Sequence, residues 1–484
     1  MWATLPGLEE LAARFSAEAD RVLVLGMGGS SLAPLVFASS FGRRPGWPRL
    51  DVLDSTHPDS VRAAAEATPP ARTVYVVSSK SGTTLEPNLF FDWFYAFAEK
   101  DLGQRAGERF VVITDPGTPL EKLAQSRGVE VTVLADAAIG GRYSALSPFG
   151  IVPAALAGID VRELLRRARD AAAACRAGDP GENPGASLGA AIGALALDGR
   201  DKLTFSVGSP VDRFGMWLEQ LIAESTGKEG KGILPVEGEP LGTPEVYGND
   251  RVFVRIAPPG SEDPDGRLAA LEAAGHPTAT LPVSDALDLG AEMFRWEFAT
   301  AIAGVLLEID PFDQPNVQEA KDRTNEILSA KGEDAPPPPG PDPRRVSELV
   351  DSIRPGDYFA ITAYLPPTQE NEDRLARIRL PVRDAKRVAT TVGFGPRFLH
   401  STGQLHKGGP DTGVFLQVTV APSADLPIPG RPWGFERMIA AQAAGDLAAL
   451  SARGRRVLSA HLRDPAVGLE ALAAKVTAAV GAAR

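Results

Sequence analysis

The chain has 484 residues and a formal net charge of −12, with 44% hydrophobic and 23% charged residues. This length exceeds that at which one hydrophobic core stops growing, so several domains of an ordinary soluble protein are expected. The acidic balance argues against a nucleic-acid-binding protein, and no apolar run approaches the roughly 20 residues of a membrane helix. The negative net charge does not argue against an anionic substrate, because backbone N–H groups and local cations can hold a phosphate.

The N-terminus and the single cysteine indicate in which compartment the protein resides. The N-terminus lacks a basic start followed by an apolar stretch, so no secretory signal is expected. Cys175 has no second cysteine to pair with, which excludes an intrachain disulfide and a cysteine-based metal site. Cytoplasmic residence is the default expectation.

The first 150 residues alternate short apolar runs with helical segments. The runs are rich in β-branched residues and end in Gly, Ser or Asp, which is typical of buried parallel strands. The runs cover residues 21–26, 50–55, 73–79, 109–115 and 129–136. Because the spacers are long enough for crossover helices, residues 1–150 are predicted to form a doubly wound α/β domain. Ligands of such domains lie beyond the carboxyl ends of the strands.

Two further α/β units are predicted downstream. Residues 151–332 contain three strand-like runs and a long apolar helix, at 202–210, 251–259, 278–284 and 287–308. The segment EDAPPPPGPDPRR at 333–345 favours extended polyproline geometry and predicts a semi-rigid linker. Residues 346–484 contain the strand-like runs DYFAITAYL, KRVATTVGFG and GVFLQVTV, with helices near 371–379, 434–453 and 467–481. A smaller C-terminal α/β domain is therefore expected.

The first strand leads into the glycine-rich segment LGMGGSSLAP at 25–34. As a dinucleotide fingerprint it is poor, because the third glycine of G-x-G-x-x-G would fall at Ser31. Asp54, near the end of the next strand, could imitate a ribose-binding acid. A tight turn and a ligand loop are equally consistent with this segment, and an NAD-dependent enzyme is one hypothesis.

The segment VSSKSGTTLEP at 77–87 is more informative. Its serine and threonine hydroxyls, the ammonium of Lys80 and the N–H groups of a following helix can converge into a phosphate cradle. The Walker sequence is absent, so nucleotide hydrolysis is not implied. A Ser/Thr helix cap beside an exposed lysine is the weaker interpretation.

Other candidate residues are individually ambiguous. Arg142 follows two glycines and can hold an anion, Glu224 lies where a helix gives way to a Gly/Lys-rich loop, and Lys321 lies one turn into a helix. Taken singly, each of these three residues is more often a solvated surface residue than a functional one. Among the histidines, His276 precedes a strand, and FLHSTGQLHKGGP at 398–410 contains two more together with Lys407. The spacing of His400 and His406 does not fit a zinc helix.

Taken together, five segments resemble the phosphoglucose isomerase family, whose two sugar-isomerase (SIS) domains are doubly wound α/β units. They occur in the family's order, as GMGGSSLA, SSKSGTTLEP, GGRYSALSPFG, AESTGKEGKG and DPFDQPNVQEAK. The chain most resembles the isomerase half of fused transaldolase/phosphoglucose isomerase proteins, which also carry a C-terminal segment like RFLHSTGQLHKGGP. The resemblance implies two SIS-type domains with parallel sheets plus a smaller C-terminal α/β domain.

The resemblance also implies an activity and roles. The expected reaction is the interconversion of glucose 6-phosphate and fructose 6-phosphate through a cis-enediolate, a step of glycolysis and gluconeogenesis, without cofactor or metal. The phosphate-binding positions are Ser30, Ser79, Lys80, Ser81 and Thr84. Arg142 matches the residue that stabilises the enediolate, Glu224 the base that shuttles the proton between C1 and C2, and Lys321 a lysine that helps open the ring. His276 is by order the best candidate for the ring-opening histidine.

Several alternatives remain open at this point. A non-catalytic SIS module that binds a phosphosugar and regulates a partner would need neither Glu224 nor Lys321, and their joint presence favours an enzyme. An isomerase that also accepts mannose 6-phosphate is a closer rival. As accessory candidates, His400, His406 and Lys407 could complete the site, face a neighbouring subunit or order a loop. The family precedent implies a homodimer and a functional association with transaldolase.

Overall fold

The chain folds into three parallel β-sheets surrounded by helices. A computed structural model describes residues 5–261, 263–315, 317–329 and 340–482, and of residues 264, 317–321 and 482 it describes the backbone alone. Within each sheet of this described part, all strand pairings are parallel. The predicted α/β fold class is therefore confirmed. Of the predicted linker at 333–345, residues 333–339 lie outside the described residues.

The first sheet has the strand order β2-β1-β3-β4-β5, and all five strands were predicted. The strands are β1 Arg21–Gly26, β2 Arg49–Leu53, β3 Thr73–Ser78, β4 Phe110–Thr114 and β5 Val131–Leu134. The helices are α1 Leu5–Glu18, α2 Leu32–Phe41, α3 Pro58–Glu66, α4 Leu85–Leu102, α5 Pro119–Ser126 and α6 Pro148–Leu156. Every residue of β1 and β3 is buried, as expected for central strands that are covered on both faces.

The second sheet has the order β7-β6-β8-β9. Its strands are β6 Lys202–Val207, β7 Leu234–Val236, β8 Arg251–Ala257 and β9 Thr278–Pro282. Its helices are α7 Val161–Ala174, α8 Pro184–Leu197, α9 Phe214–Thr226, α10 Arg267–Ala273, α11 Leu289–Leu306 and α12 Val317–Ser329. The sequence did not predict β7, because three residues that include a proline carry no readable periodicity.

The third sheet has the order β11-β10-β12-β13. Its strands are β10 Tyr358–Tyr364, β11 Ala389–Phe394, β12 Gly413–Val420 and β13 Arg456–Leu462. Its helices are α13 Pro343–Asp351, α14 Gln369–Lys386, α15 Gly403–Gly408, α16 Phe435–Ala452 and α17 Pro465–Ala482. The edge strand β13 was not predicted, although Ser459 and His461 alternate with the apolar Leu458, Ala460 and Leu462, a pattern typical of a strand with one buried face.

The third sheet's unit contacts both other units. The ring of Phe435 in α16 stacks on that of Phe90 in α4, with centroids 5.9 Å apart. Glu239, which follows β7, is completely buried, pairs with Arg251 of β8 and accepts hydrogen bonds from Thr390 of β11 at 2.6 and 2.9 Å. The division into domains at 1–150, 151–332 and 346–484 stays a prediction. Of the helices in the described ranges, none has both the length and the apolar character needed to cross a membrane.

Two helix termini position the site. The helix α4 starts directly after Thr84, which has extended backbone, and carries Glu86 in its first turn, where a carboxylate suits the helix dipole. The helix α9 starts after Arg213, whose φ of 62° is left-handed, so the helix cannot extend further toward the N-terminus. It ends at Thr226, before Gly227. Both helices therefore begin or end next to a loop that the sequence marked as functional.

Candidate active site

The loop after β3 contains a buried hydroxyl and a paired lysine. Ser79 is 2% exposed, and its Oγ has no hydrogen-bond partner among the described residues. The ammonium of Lys80 pairs with the carboxylate of Asp115 and donates to the carbonyl oxygen of Ala137 at 3.0 Å. Lys80 is thus anchored at the rim of the loop, and Ser79 is the buried donor that a phosphate oxygen could use.

The other predicted phosphate-binding residues surround the same sheet edge. The hydroxyls of Ser81 and Thr83 lie 2.9 Å apart, and the Thr84 side chain does not cap α4. Ser30 lies at the end of a 3₁₀ turn after β1 and is buried. Because β1 and β3 are neighbouring parallel strands, Ser30 and the loop after β3 leave the sheet at the same edge.

The glycines after β1 allow other parts of the protein to approach closely. Gly28 has a φ of 53°, and a Cβ there would lie 2.9 Å from Nε2 of Gln220 and from Cβ of His400. A Cβ on Gly29 would lie 1.9 Å from the carbonyl oxygen of Gly141. The loop therefore packs against three protein segments, and the space that a dinucleotide phosphate would need is filled by protein.

Asp54, the acid that could imitate a ribose-binding residue, is already paired with another side chain. Asp54 accepts two hydrogen bonds from the guanidinium of Arg397, at 2.6 and 2.8 Å, and its side chain is 2% exposed. A carboxylate that is oriented in this bidentate way and almost fully buried is closed to a ribose hydroxyl. Together with the filled glycine loop, this contact disfavours the NAD hypothesis.

Arg142 lies in the interior, at the junction of three segments. Its Nε donates to Oγ of Ser225 at 2.7 Å, and one terminal nitrogen donates to the carbonyl oxygens of Pro311 and Asp313 at 2.5 and 2.7 Å. The other terminal nitrogen lies 3.5 Å from Oε1 of Glu224. The guanidinium is thereby fixed beside the predicted base, where it can face developing negative charge.

Glu224 lies in the last turn of α9 and is 5% exposed. Its Oε2 accepts a hydrogen bond of 3.0 Å from Nε2 of Gln220, one helical turn earlier. The same nitrogen of Gln220 donates to the carbonyl oxygen of His400 at 2.8 Å. A single amide group thus connects the predicted base to the histidine loop of the third unit.

The imidazole of His400 reaches the helix that follows the phosphate loop. Its Nε2 lies 3.1 Å from Oε1 of Glu86, and that oxygen also accepts a hydrogen bond of 2.7 Å from Gln442 of α16. Glu86 is 6% exposed and lies two residues after Thr84. His400 therefore lies between the phosphate loop and Glu224.

The segment DPFDQP is attached to the site by a second buried cation. Nζ of Lys228 donates to the carbonyl oxygens of Asp310 and Asp313 at 2.6 and 2.7 Å, and pairs with the Asp313 carboxylate. Burial lowers the pKa of the Lys228 ammonium, and the hydrogen bond and charge of Asp313 oppose that shift. Lys321 belongs to α12, which follows this segment, but its side chain lies outside the described residues.

The structure does not bring His276 to the other candidates. It precedes β9, its ring packs on those of Tyr247 and Phe253, and the charges that act on it are those of Arg200, Arg251 and Asp250. Arg200 and Asp250 precede β6 and β8, and neither the ring contacts nor the charges described for His276 include Glu224 or Arg142. The ring-opening role of His276, which rests on chain order, stays a prediction, and the contacts of His400 make that histidine a second candidate for the same role.

The other two accessory candidates lie inside the third unit. His406 is 2% exposed and enclosed by the rings of Tyr358, Phe398 and Phe415, with both ring nitrogens lacking hydrogen-bond partners among the described residues. Lys407 is buried and donates to Asp446 at 2.7 Å. Neither residue is seen to contact Glu224 or the phosphate loop.

Four residues of this arrangement were not singled out from the sequence. Glu86 stands within SSKSGTTLEP as a first-turn acid, and Gln220 precedes Glu224 by four residues on the same helical face, so both carried a local signal. Lys228 belongs to the quoted segment AESTGKEGKG. Gln442 lies in an unremarkable helix far along the chain, and only the tertiary structure reveals it.

The assembled groups suit proton transfer next to a bound anion. A buried carboxylate can accept and return a proton, an adjacent guanidinium can stabilise an oxyanion, and an imidazole can act as acid or base near neutral pH. Among the residues that the structure describes, no group of three His, Cys, Asp or Glu side chains could hold a metal ion.

Comparison with known proteins identifies a family. The family described as phosphoglucose isomerase matches residues 12–232. The chain is 30% identical to a glucose-6-phosphate isomerase from Rubrobacter xylanophilus over 61% of this chain and 80% of that one. It is also 30% identical to the enzyme of that name from Symbiobacterium thermophilum, over 68% and 84% of the two chains.

Solved structures give the same fold. A glucose-6-phosphate isomerase from Chlamydia trachomatis superposes with a TM-score of 0.58 and 23% identity, covering 66% of this chain and 72% of that one. A hypothetical protein from Thermus thermophilus gives a TM-score of 0.59 and 24% identity, covering 68% and 89%. The shared fold defines an α/β protein with parallel sheets surrounded by helices. The chain belongs to the phosphoglucose isomerase family.

Proposed function

We propose that this chain is a glucose-6-phosphate isomerase, an aldose–ketose isomerase that interconverts glucose 6-phosphate and fructose 6-phosphate. The single observation that carries the proposal is the placement of His400. Its backbone is joined through Gln220 to Glu224, and its imidazole is joined to Glu86, just beyond the phosphate loop. In space, the loop after β3 is therefore followed by the pair of His400 and Glu86, and then by the buried carboxylate of Glu224.

The phosphoryl group of the substrate is held at the carboxyl edge of the first sheet. The hydroxyls of Ser30, Ser79, Ser81 and Thr84 and the first N–H groups of α4 supply the donors. Lys80 contributes charge from the rim, where Asp115 fixes its ammonium. The anchored phosphate then fixes how far the sugar's reactive carbons extend across the site.

Ring opening needs proton transfer between the ring oxygen and the C1 hydroxyl. When Nε2 of neutral His400 donates to Glu86, Nδ1 is the ring nitrogen with a free lone pair for a substrate hydroxyl. Glu86 fixes this tautomer and stabilises the imidazolium that forms. Lys321, by resemblance, assists the same step.

Isomerisation needs one base that reaches both carbons. In the open-chain aldose, Glu224 removes the proton from C2, and the electron pair forms the enediolate while the C1 carbonyl oxygen becomes negative. Arg142, 3.5 Å from Glu224, stabilises that oxygen. The C2 hydroxyl proton passes to the C1 oxygen while the same carboxyl group returns its proton to C1, so that C2 becomes the ketose carbonyl without change in overall oxidation state.

A coupled assay tests the activity directly. Purified protein, without added metal, is expected to convert fructose 6-phosphate to glucose 6-phosphate, and in D2O the product should carry deuterium at C2. Binding of the phosphosugar without turnover would instead identify a non-catalytic regulatory module. Parallel turnover of mannose 6-phosphate would extend the specificity to a dual isomerase.

Three further expectations are part of this proposal. We infer a cytoplasmic location, a homodimer and a functional association with transaldolase. Sedimentation of the purified protein, with and without added transaldolase, measures the last two, and a fluorescent fusion in the native host measures the first.

A further inference from the structure

The turn that carries His400 is attached to the first unit by a buried ion pair. Arg397, at the start of this 3₁₀ turn, makes two hydrogen bonds to Asp54, which follows the carboxyl end of β2. The side chains of Asp54 and Arg397 are 2% and 12% exposed. Because two guanidinium nitrogens donate to the two carboxylate oxygens, the pair fixes orientation as well as distance.

The other end of the turn is attached to the second unit. The carbonyl oxygen of His400 accepts from Gln220, and Oγ of Ser401 donates to Oε1 of Glu219 at 3.3 Å. Glu219 and Gln220 both belong to α9, the helix that also carries Glu224. The turn is only four residues long, so its two attachments together determine where the imidazole lies.

We propose that the Asp54–Arg397 ion pair is a positioning contact that holds His400 in the site, so that the third unit supplies the ring-opening group from within the same chain. This inference rests on the proposed function, because it assigns the pair to one step of that reaction. Neither Asp54 nor Arg397 touches Glu224 in the contacts described. The pair therefore affects ring opening and leaves the proton transfer between C1 and C2 to the other residues.

Ring opening can be measured apart from isomerisation. Interconversion of the α and β anomers of glucose 6-phosphate requires opening and closing of the ring but no transfer of the C2 proton. In the Glu224→Gln protein, which should not isomerise its substrate, NMR magnetisation exchange between the anomers reports ring opening alone. Arabinonic acid 5-phosphate, an open-chain carboxylate that mimics the enediolate, reports whether the rest of the site is intact.

The variants are Arg397→Gln, Asp54→Asn and the two combined, each in the Glu224→Gln protein. Each single change should slow enzyme-catalysed anomer exchange about tenfold or more, since it leaves one buried partner unpaired. The combined variant should be no slower than the slower single one, because the two changes remove the same contact. Affinity for arabinonic acid 5-phosphate should stay within about threefold of the parent, as expected when only the ring-opening group is displaced.

Ser423→Ala is the matched control. It removes the hydroxyl that donates to Asp59, a contact that also joins the third unit to the first but does not involve the His400 turn, and it keeps the hydrogen bond from the Ser423 backbone N–H. Its anomer exchange should match that of the parent. Unchanged exchange in Arg397→Gln would overturn the inference, as would equal loss of exchange and of arabinonate affinity. Either of these two results would refute the inference alone. The proposed function would still stand as long as the wild-type protein isomerises fructose 6-phosphate.

Discussion

The imidazole Nε2 of His400 lies 3.1 Å from the carboxylate of Glu86, although 314 positions separate the two residues in the chain. One belongs to the third unit and the other to the first turn of the helix after the phosphate loop. Because Gln220 joins the same histidine to Glu224, the contact connects all three units at one place. The third unit is therefore expected to be required for catalysis, whatever else it does.

Replacement of the proposed base should separate chemistry from binding. Glu224→Gln keeps the shape and an acceptor for Gln220 but cannot carry the proton, so kcat should fall by about 10³-fold or more. The dissociation constant for fructose 6-phosphate, measured calorimetrically, should change little. A comparable loss of affinity and turnover would assign Glu224 a structural role, and Glu370→Gln, at an exposed position, is the control.

The two histidine candidates should behave differently. His400→Asn removes the acid/base group, and we expect anomer exchange of glucose 6-phosphate to slow by about a hundredfold. His276→Asn lies away from the site among aromatic rings and should leave exchange and isomerisation within about twofold of wild type. The reverse pattern in NMR exchange and coupled assays would support the order-based assignment of His276.

The sequence predicted the three α/β units because buried parallel strands leave a local mark. Continuous β-branched runs that end in Gly, Ser or Asp located β1 to β5. The strand β7 is too short to be recognised, and β13 alternates apolar and polar residues, so a search for continuous runs passes over it. The same holds for the site. Glu224, Arg142 and the hydroxyls after β3 stand in compact segments, and the resemblance to a family gave them roles, which remain predictions.

The placement of the histidines could not be predicted in this way. His276 and His400 both lie in short loops, and neither loop has a periodicity that indicates its neighbours. What distinguishes them is the tertiary contact of His400 with Glu86 and Gln220, which brings together three distant stretches of chain. Likewise, nothing local indicated that Asp54 would meet Arg397 rather than a ligand.

The buried carboxyl groups of Glu219 and Glu237 should make the free energy of unfolding depend on pH. Removal from water raises the pKa of Glu219 to about 8, with a further rise from the nearby Glu237, while Ser401 and the charges of Arg379 and Arg397 oppose it. Burial similarly raises the pKa of Glu237 to about 7. The folded state thus holds protons that the unfolded chain has released, and stability falls as pH rises from about 4.5 to 8.

Glu219→Gln should remove this pH dependence in part. The amide can still accept from Ser401, so we expect an unchanged Tm at pH 5 and a Tm about 2–4 °C above wild type at pH 8. Differential scanning calorimetry across this range measures the effect. Glu370, whose side chain is 73% exposed, offers a control in Glu370→Gln, and an equal gain there would refute the explanation.

His406 should have the opposite influence at acid pH. Burial lowers the pKa of its imidazole well below 6.5, and the charges of Lys407 and Arg455 lower it further. Below pH 6.5 the unfolded chain therefore binds a proton that the folded protein excludes, at a cost of about 1.4 kcal/mol for each pH unit until the folded pKa is reached. His406→Leu should lessen the fall in Tm between pH 7 and 5 while anomer exchange stays as in wild type. Loss of anomer exchange in a stably folded His406→Leu protein would instead return this residue to the active site, where its enclosure by Tyr358, Phe398 and Phe415 does not place it.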